Sequence, residues 1–138
     1  MIIADTNLVA YLLIDGERTE AARRVRQRDP DWRLPTLWRS EFLNVLATTV
    51  RAGVLDEDSA RSAWRTSLSL FGGCEEEPDA EAVLTVAFRA RISAYDAQFV
   101  VLAKRHGVRL VTGDHGLLRH CPDVALSLED FAAETLPP

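Results

Sequence analysis

Met1-Ile2-Ile3-Ala4-Asp5-Thr6-Asn7-Leu8-Val9 opens the chain with an apolar run that meets a carboxylate at once and then turns amphipathic. Ile2-Ile3-Ala4 has the content of a short buried strand. Thr6-Asn7 begins a helix through Leu8, Val9, Tyr11 and Leu12, with Asn7 placed as its N-cap. The same alternation continues outward. Trp32-Arg33-Leu34-Pro35 reads as a strand ended by a proline that cannot extend a central ladder. Cys74 to Glu77 reads as a brief strand or loop, Val108 to Val111 as a buried strand, and Ala125 to Leu128 as a last short strand. Helices fill the intervals: Glu17 to Arg28, Leu37 to Arg51, Asp56 to Leu70, a segment opened by Pro78 and running to about Arg91, Ala94 to His106, and a C-terminal helix from Glu129. Strands alternating with helices predict an α/β fold, a parallel sheet covered on both faces, with ligands bound beyond the carboxyl ends of the strands.

The chain has 138 residues, 47% apolar and 27% charged, a size and mix suited to one domain over residues 1–138. A core can form at this length without disulfides. Cys74 and Cys121 lie far apart with neither a CxxC nor Cys/His clustering, and read as free thiols in a reducing compartment. No segment approaches the roughly 18 consecutive apolar residues of a membrane helix, and no basic stretch precedes the first apolar run, so the expectation is a soluble cytoplasmic protein. No repeat or low-complexity tract occurs, and the Pro137-Pro138 tail is expected to fray. Net charge is −5, from 16 basic and 21 acidic residues, which on its face argues against binding a phosphate backbone. The charge is unevenly placed: residues 17–55 hold 8 bases and 5 acids, residues 56–81 hold 2 bases and 8 acids.

Several carboxylates sit badly with their surroundings. Asp5 ends the first strand and Asp114 follows Val108-Arg109-Leu110-Val111-Thr112-Gly113, so both emerge at one edge of a parallel sheet. Either alone reads as a turn residue or helix cap. Glu41 stands three after Trp38 and four before Val45, on or beside the apolar face of its helix. A glutamate there needs a partner; Asn44 shares that face, and an internal salt bridge is the other reading. Asp96 lies in Ser93-Ala94-Tyr95-Asp96, which has the spacing of an N-terminal capping arrangement. The helix after it, Ala97-Gln98-Phe99-Val100-Val101-Leu102-Ala103, is apolar almost all round and so reads as buried, with Asp96 at the rim of the core.

Taken together, Asp5-Thr6-Asn7, Ser40-Glu41-Phe42-Leu43-Asn44, Ser93-Ala94-Tyr95-Asp96-Ala97-Gln98-Phe99 and Leu110-Val111-Thr112-Gly113-Asp114 resemble the four acidic blocks of PIN-domain ribonucleases. In order, spacing and length the chain most resembles the VapC-type toxins of toxin–antitoxin pairs, from Ile2 to about Leu128. The resemblance implies a three-layer α/β/α sandwich with a parallel, Rossmann-like sheet of about five strands. It implies that Asp5, Glu41, Asp96 and Asp114 are catalytic, metal-binding acids, with Asn7 and Thr112 as polar groups that orient the acids or the substrate. It further implies a homodimer, and a groove for an antitoxin peptide whose arginine reaches the acidic site. Some relatives carry another carboxylate soon after the last aspartate; here His115-Gly116-Leu117-Leu118 follows, which bears on whether a second metal is held.

The chemistry suits these residue types. Converging carboxylates repel one another, and a divalent ion removes the conflict. All-oxygen ligands favour Mg²⁺ or Mn²⁺, one ion or two, serving an activated-water hydrolysis of RNA, with transfer RNA or ribosomal RNA as the implied targets. His115, beside Asp114, is a candidate contact for a substrate phosphate, whereas His106 at a helix C-terminus reads as a solvated side chain. Arg23-Arg24-x-Arg26-x-Arg28 reads as a solvated helix face or as an RNA-backbone contact. The apolar residues Leu8, Tyr11, Leu12, Trp38 and Leu46 read as core packing by default. Two other readings compete. One is a solitary PIN nuclease acting on other RNA or DNA. The other is a receiver-like phosphoacceptor domain, which needs a lysine near its acids; the only lysine, Lys104, lies two turns past Asp96.

Overall fold

The computed structural model describes residues 1–134, so the Pro137-Pro138 tail lies outside the described residues. Five short parallel strands, β1 (Ile2–Ala4), β2 (Trp32–Pro35), β3 (Glu75–Glu76), β4 (Leu110–Val111) and β5 (Ala125–Leu126), form one sheet in the order β3-β2-β1-β4-β5. The register pairs Ile3 with Leu110 and Ala4 with Val111, so Asp5 and Thr112 leave the sheet side by side. Pro35 is the last residue of β2 and costs the ladder nothing, because the next N–H, from Thr36, is the one that pairs with Glu76.

Eight helices connect and cover the strands: α1 (Thr6–Leu13), α2 (Thr19–Arg28), α3 (Trp38–Arg51), α4 (Glu57–Phe71), α5 (Ala80–Ala90), α6 (Ala94–His106), α7 (His115–His120) and α8 (Leu128–Ala133). Both sheet faces are buried, as the alternation of a pleated strand requires. Ile2, Ala4 and Val111 join Leu8, Trp38, Phe42, Leu46 and Phe131 on one side, while Ile3 and Leu110 join Phe99, Val100, Leu102 and Leu117 on the other. The result is the three-layer sandwich. Leu8, Trp38 and Leu46 are core residues, whereas Tyr11 and Leu12 are half-buried at its margin. Helix α6 is buried on both sides because α5 packs over it: Ala97 and Val101 meet Val83 there, while Phe99, Val100 and Leu102 face the sheet.

An aromatic cluster fills the first layer. Trp32 and Phe71 stack at 5.4 Å between centroids, Trp38 lies 5.8 Å from Trp64, and Phe71 meets Trp38 edge-on at 6.3 Å. Arg26 closes it, its guanidinium 5.2 Å from both the Trp32 and Phe71 rings.

Four local expectations are corrected. Asp5, not Asn7, caps α1: its extended backbone and its acceptance of the Thr6 N–H meet the requirement, and Asn7 is already inside the helix. Pro78 does not open α5; Asp79 caps it by accepting the Ala82 N–H, and the helix starts at Ala80. Helix α7 had no signal, since six residues including Gly116 are too few to show a period. His106 is not simply solvated: its Nε2 sits 2.6 Å from Glu76 on β3. The neighbouring acids are also occupied, with Glu75 accepting from Trp38 and Arg39 and Glu77 accepting from Thr36. Three of the eight acids in residues 56–81, Glu75, Glu76 and Glu77, are therefore paired at or beside a short, charged edge strand.

Candidate active site

The site lies beyond the carboxyl ends of β1 and β4, where α1, α3, α6 and α7 begin. Asp5 is its centre and is 7% exposed. One carboxyl oxygen accepts the Thr6 N–H at 2.8 Å; the other accepts the Thr112 hydroxyl at 2.6 Å and the Asn7 amide at 3.3 Å. Thr112, itself buried, also accepts the Asp114 N–H at 2.9 Å, so one hydroxyl joins two acids from strands paired in the sheet. Asn7 makes the second cross-link, accepting the Gly113 N–H at 3.2 Å.

Glu41 emerges from the first turn of α3, half-buried, and accepts the Thr6 hydroxyl at 2.8 Å. This corrects the expected partner: Asn44 is exposed, and Thr6 answers the glutamate from the neighbouring helix instead. Thr6 is a polar neighbour of two of these acids for which the sequence suggested no role. The signal available was its place in the first turn of the helix that Asp5 caps. Asp96 stands in the first turn of α6, where its N–H is bonded by the Ser93 side chain at 3.0 Å; the capping reading holds and leaves the Asp96 carboxyl half-buried at the rim. Asp114 caps α7, one oxygen accepting from Gly116 at 2.7 Å and from Leu117 at 3.3 Å.

Electrostatics bind these acids into one unit. Burial pushes the Asp5 carboxyl up to about 7 against the opposing hydrogen bonds from Thr112 and Thr6, and the charges of Glu41 and Asp96 add to the rise. Burial also raises Glu41, with the Thr6 hydroxyl opposing and Asp96 adding. Asp96 is raised by burial and then by Asp114. The strongest charges acting on these groups are other carboxylates, and the one lysine is elsewhere: Lys104 lies 3.7 Å from Asp123 at the far end of α6. That removes the cation a phosphoacceptor site needs.

The four carboxylates offer oxygen ligands only, a chemistry that suits a hard divalent cation that would relieve the mutual repulsion. The acids are near enough to perturb one another, yet among the described residues no group of three or more Asp, Glu, His or Cys is drawn close enough to hold an ion together. His115 is exposed on the first turn of α7, outside the hydrogen-bond network of the acids.

Residues 2–121 match the family model of the PIN domain. The chain belongs to the PIN domain family. Ribonuclease VapC3 of Pyrobaculum aerophilum is 27% identical to this PIN domain over 124 residues, covering 88% of this chain and 95% of the relative. The crystal structure of PAE2754 from Pyrobaculum aerophilum shares the fold with a TM-score of 0.76 at 24% identity, covering 95% of this chain and 92% of that one. The FitAcB crystal structure from Neisseria gonorrhoeae gives 0.71 at 20% identity over 94% and 99% of the two chains. A chain of a toxin–antitoxin complex from Klebsiella pneumoniae gives 0.65 at 17% identity over 93% and 98%. The five-stranded parallel sheet of this PIN domain is thus the family's, as the four acidic blocks implied.

Half of the basic run of α2, Arg26 and Arg28, is spent on packing. Arg26 covers the aromatic cluster, and Arg28 lies 5.2 Å from the Phe131 ring and donates to the Glu134 carbonyl. Arg23 and Arg24 remain exposed, beside Glu20. No helix of the described residues is long and apolar enough to cross a membrane.

Proposed function

We propose that this PIN domain is a divalent-metal-dependent endoribonuclease, the toxin of a toxin–antitoxin pair, which inhibits translation in the cytoplasm by cleaving transfer or ribosomal RNA. The observation that carries the reading is a buried Asp5, tied through Thr112 to Asp114, with the charges of two further acids, Glu41 and Asp96, acting on it. Similarity to a ribonuclease VapC along most of the chain supports the class of substrate.

Asp5, Glu41, Asp96 and Asp114 are the groups to hold Mg²⁺ or Mn²⁺, one ion or two. The bound cation would supply activation of water and neutralisation of phosphate charge. The protein's part is positioning. Thr6 and Thr112 aim the Asp5 carboxyl, the Thr6 hydroxyl fixes Glu41, and the α7 cap holds Asp114 by one oxygen. His115, exposed beside Asp114, is the side chain available to a substrate phosphate. A negative net charge is compatible with this chemistry, because removing the four acids leaves 17 acidic against 16 basic residues. The expected partners are a second copy of the chain and an antitoxin peptide whose arginine offers its guanidinium to the same carboxylates.

The test is to map the 5′ and 3′ ends of cellular RNA after brief induction of wild type and of Asp96→Asn. New site-specific ends and growth arrest with the wild type alone support the reading. Ends without arrest favour a solitary nuclease, and the absence of new ends overturns it.

A further inference from the structure

Gly113 precedes Asp114, and what makes a glycine necessary there is a neighbour rather than its backbone angles. The glycines with positive φ are Gly53 and Gly107, so position 113 has a conformation open to other residues. A Cβ on Gly113, however, would stand 2.7 Å from the Tyr11 hydroxyl oxygen and 2.9 Å from its Cε2. The phenol ring lies directly against the loop that carries Asp114.

The ring has a second neighbour. The Arg18 guanidinium lies 5.1 Å from the Tyr11 centroid, and its Nη2 donates to both carboxyl oxygens of Glu129 on α8, at 2.9 and 3.1 Å. Among the described residues Arg18 Nε is buried without a hydrogen-bond partner, and the guanidinium is held by the ring and by Glu129. Tyr11 stands one turn after Asn7 on α1, and Asn7 accepts the Gly113 N–H. One face of α1 therefore meets the loop twice, by a hydrogen bond and by the close contact of the Tyr11 ring.

We propose that Tyr11 is a positioning residue for the acidic site: its ring, in contact with both Arg18 and Gly113, sets the Thr112–Asp114 loop and with it the Asp114 carboxyl. The proposal rests on the nuclease reading of those acids. Tyr11 touches the backbone of the loop and acts through it, and Glu129 extends the brace to the C-terminal helix.

The experiment compares Tyr11→Leu, Tyr11→Phe, Gly113→Ala and the double variant Gly113→Ala/Tyr11→Leu in Mn²⁺-dependent RNA cleavage, and follows the Gly113 amide by NMR hydrogen exchange. Loss of the ring contact is expected to lower kcat about tenfold with little change in KM, since small misplacements of a catalytic group carry costs of this order. Tyr11→Phe keeps the ring and recovers most of that loss. Gly113→Ala loses more, and the double variant returns to the Tyr11→Leu level because the collision is gone. Gly113 exchange quickens in Tyr11→Leu. Wild-type kcat together with unchanged Gly113 exchange in Tyr11→Leu overturns the proposal, as does a double variant no better than Gly113→Ala. If instead Asp96→Asn cleaves as fast as wild type, the nuclease reading fails by itself, and the exchange measurement still decides where Tyr11 acts.

Discussion

The hydroxyl of Thr112 donates to Asp5 Oδ2 at 2.6 Å, across two paired strands and 107 positions of sequence. Because the same oxygen accepts the Asp114 N–H, the geometry of two acids depends on one buried side chain. Thr112→Val keeps the shape and removes the hydroxyl. It should cost about 1–3 kcal/mol of stability by leaving a buried carboxyl short of a donor, and should also lower RNA cleavage. Thr112→Ser should retain most of both, read by thermal unfolding and by cleavage rate.

Asp5 gives the metal-free protein a pH dependence of definite sign. Its carboxyl holds a proton up to about 7 in the fold but only to about 3.9 in the unfolded chain. Between those values the folded state binds more protons, so the stability from the neutral form is full below about pH 4 and is lost as pH rises toward 7. The metal-free thermal midpoint should therefore fall from pH 5 to pH 8, with up to about 3 kcal/mol at stake over that window. Added Mn²⁺ should raise the midpoint more at pH 8 than at pH 5, since it competes with the proton. A midpoint insensitive to both would contradict a buried, strained Asp5.

Asp5→Asn follows from the same physics in the opposite sense. Replacing the buried charge by a neutral amide should stabilise the metal-free protein at pH 8, remove most of the Mn²⁺-dependent rise, and abolish cleavage. Differential scanning calorimetry with and without Mn²⁺ measures the first two.

Arg91 is the one non-glycine among the described residues with positive φ, at 58°, in the tight turn between α5 and α6. Its exposed side chain has no packing to lose, and a left-handed conformation costs an L-residue about 1–2 kcal/mol. Arg91→Gly should raise stability by roughly 0.5–1 kcal/mol once glycine's greater unfolded entropy is counted. Urea denaturation midpoints would show it.

Phe71 joins the Trp32 stack, the Trp38 edge and the Arg26 guanidinium, and is fully buried. Phe71→Ala should destabilise by about 3–5 kcal/mol, leaving a cavity behind the sheet. Because this cluster belongs to the core layer rather than to the acids, metal-dependent cleavage per folded molecule should survive at low temperature.

Elements whose local signals agreed were legible. Ala94–His106 combines a serine cap, an apolar stretch and a terminal glycine, and forms as read. β1 and β2 were visible as short apolar runs closed by Asp5 and Pro35. Helix α7 was not, because it exists through Asp114 capping six residues whose Leu117 is buried under the sheet. The ends also shifted where competing caps stood in line, as with Asp79 against Pro78 and Asp5 against Asn7.

By itself the sequence determined the alternation of strands and helices and the family, and it singled out Asp5, Glu41, Asp96 and Asp114 as the candidate acids, since each is carried by residue type and spacing along the chain. Tertiary structure decided which groups answer those acids. Thr6 rather than Asn44 bonds Glu41, His106 pairs with Glu76 instead of facing water, and Arg26 and Arg28 lie on aromatic rings. It also seated Tyr11 against Gly113, a contact between residues 102 positions apart. The physical reason is that a side chain's partner is chosen by proximity and burial after the strands pair. No local pattern encodes which of several polar neighbours the packed sheet will bring within hydrogen-bond distance.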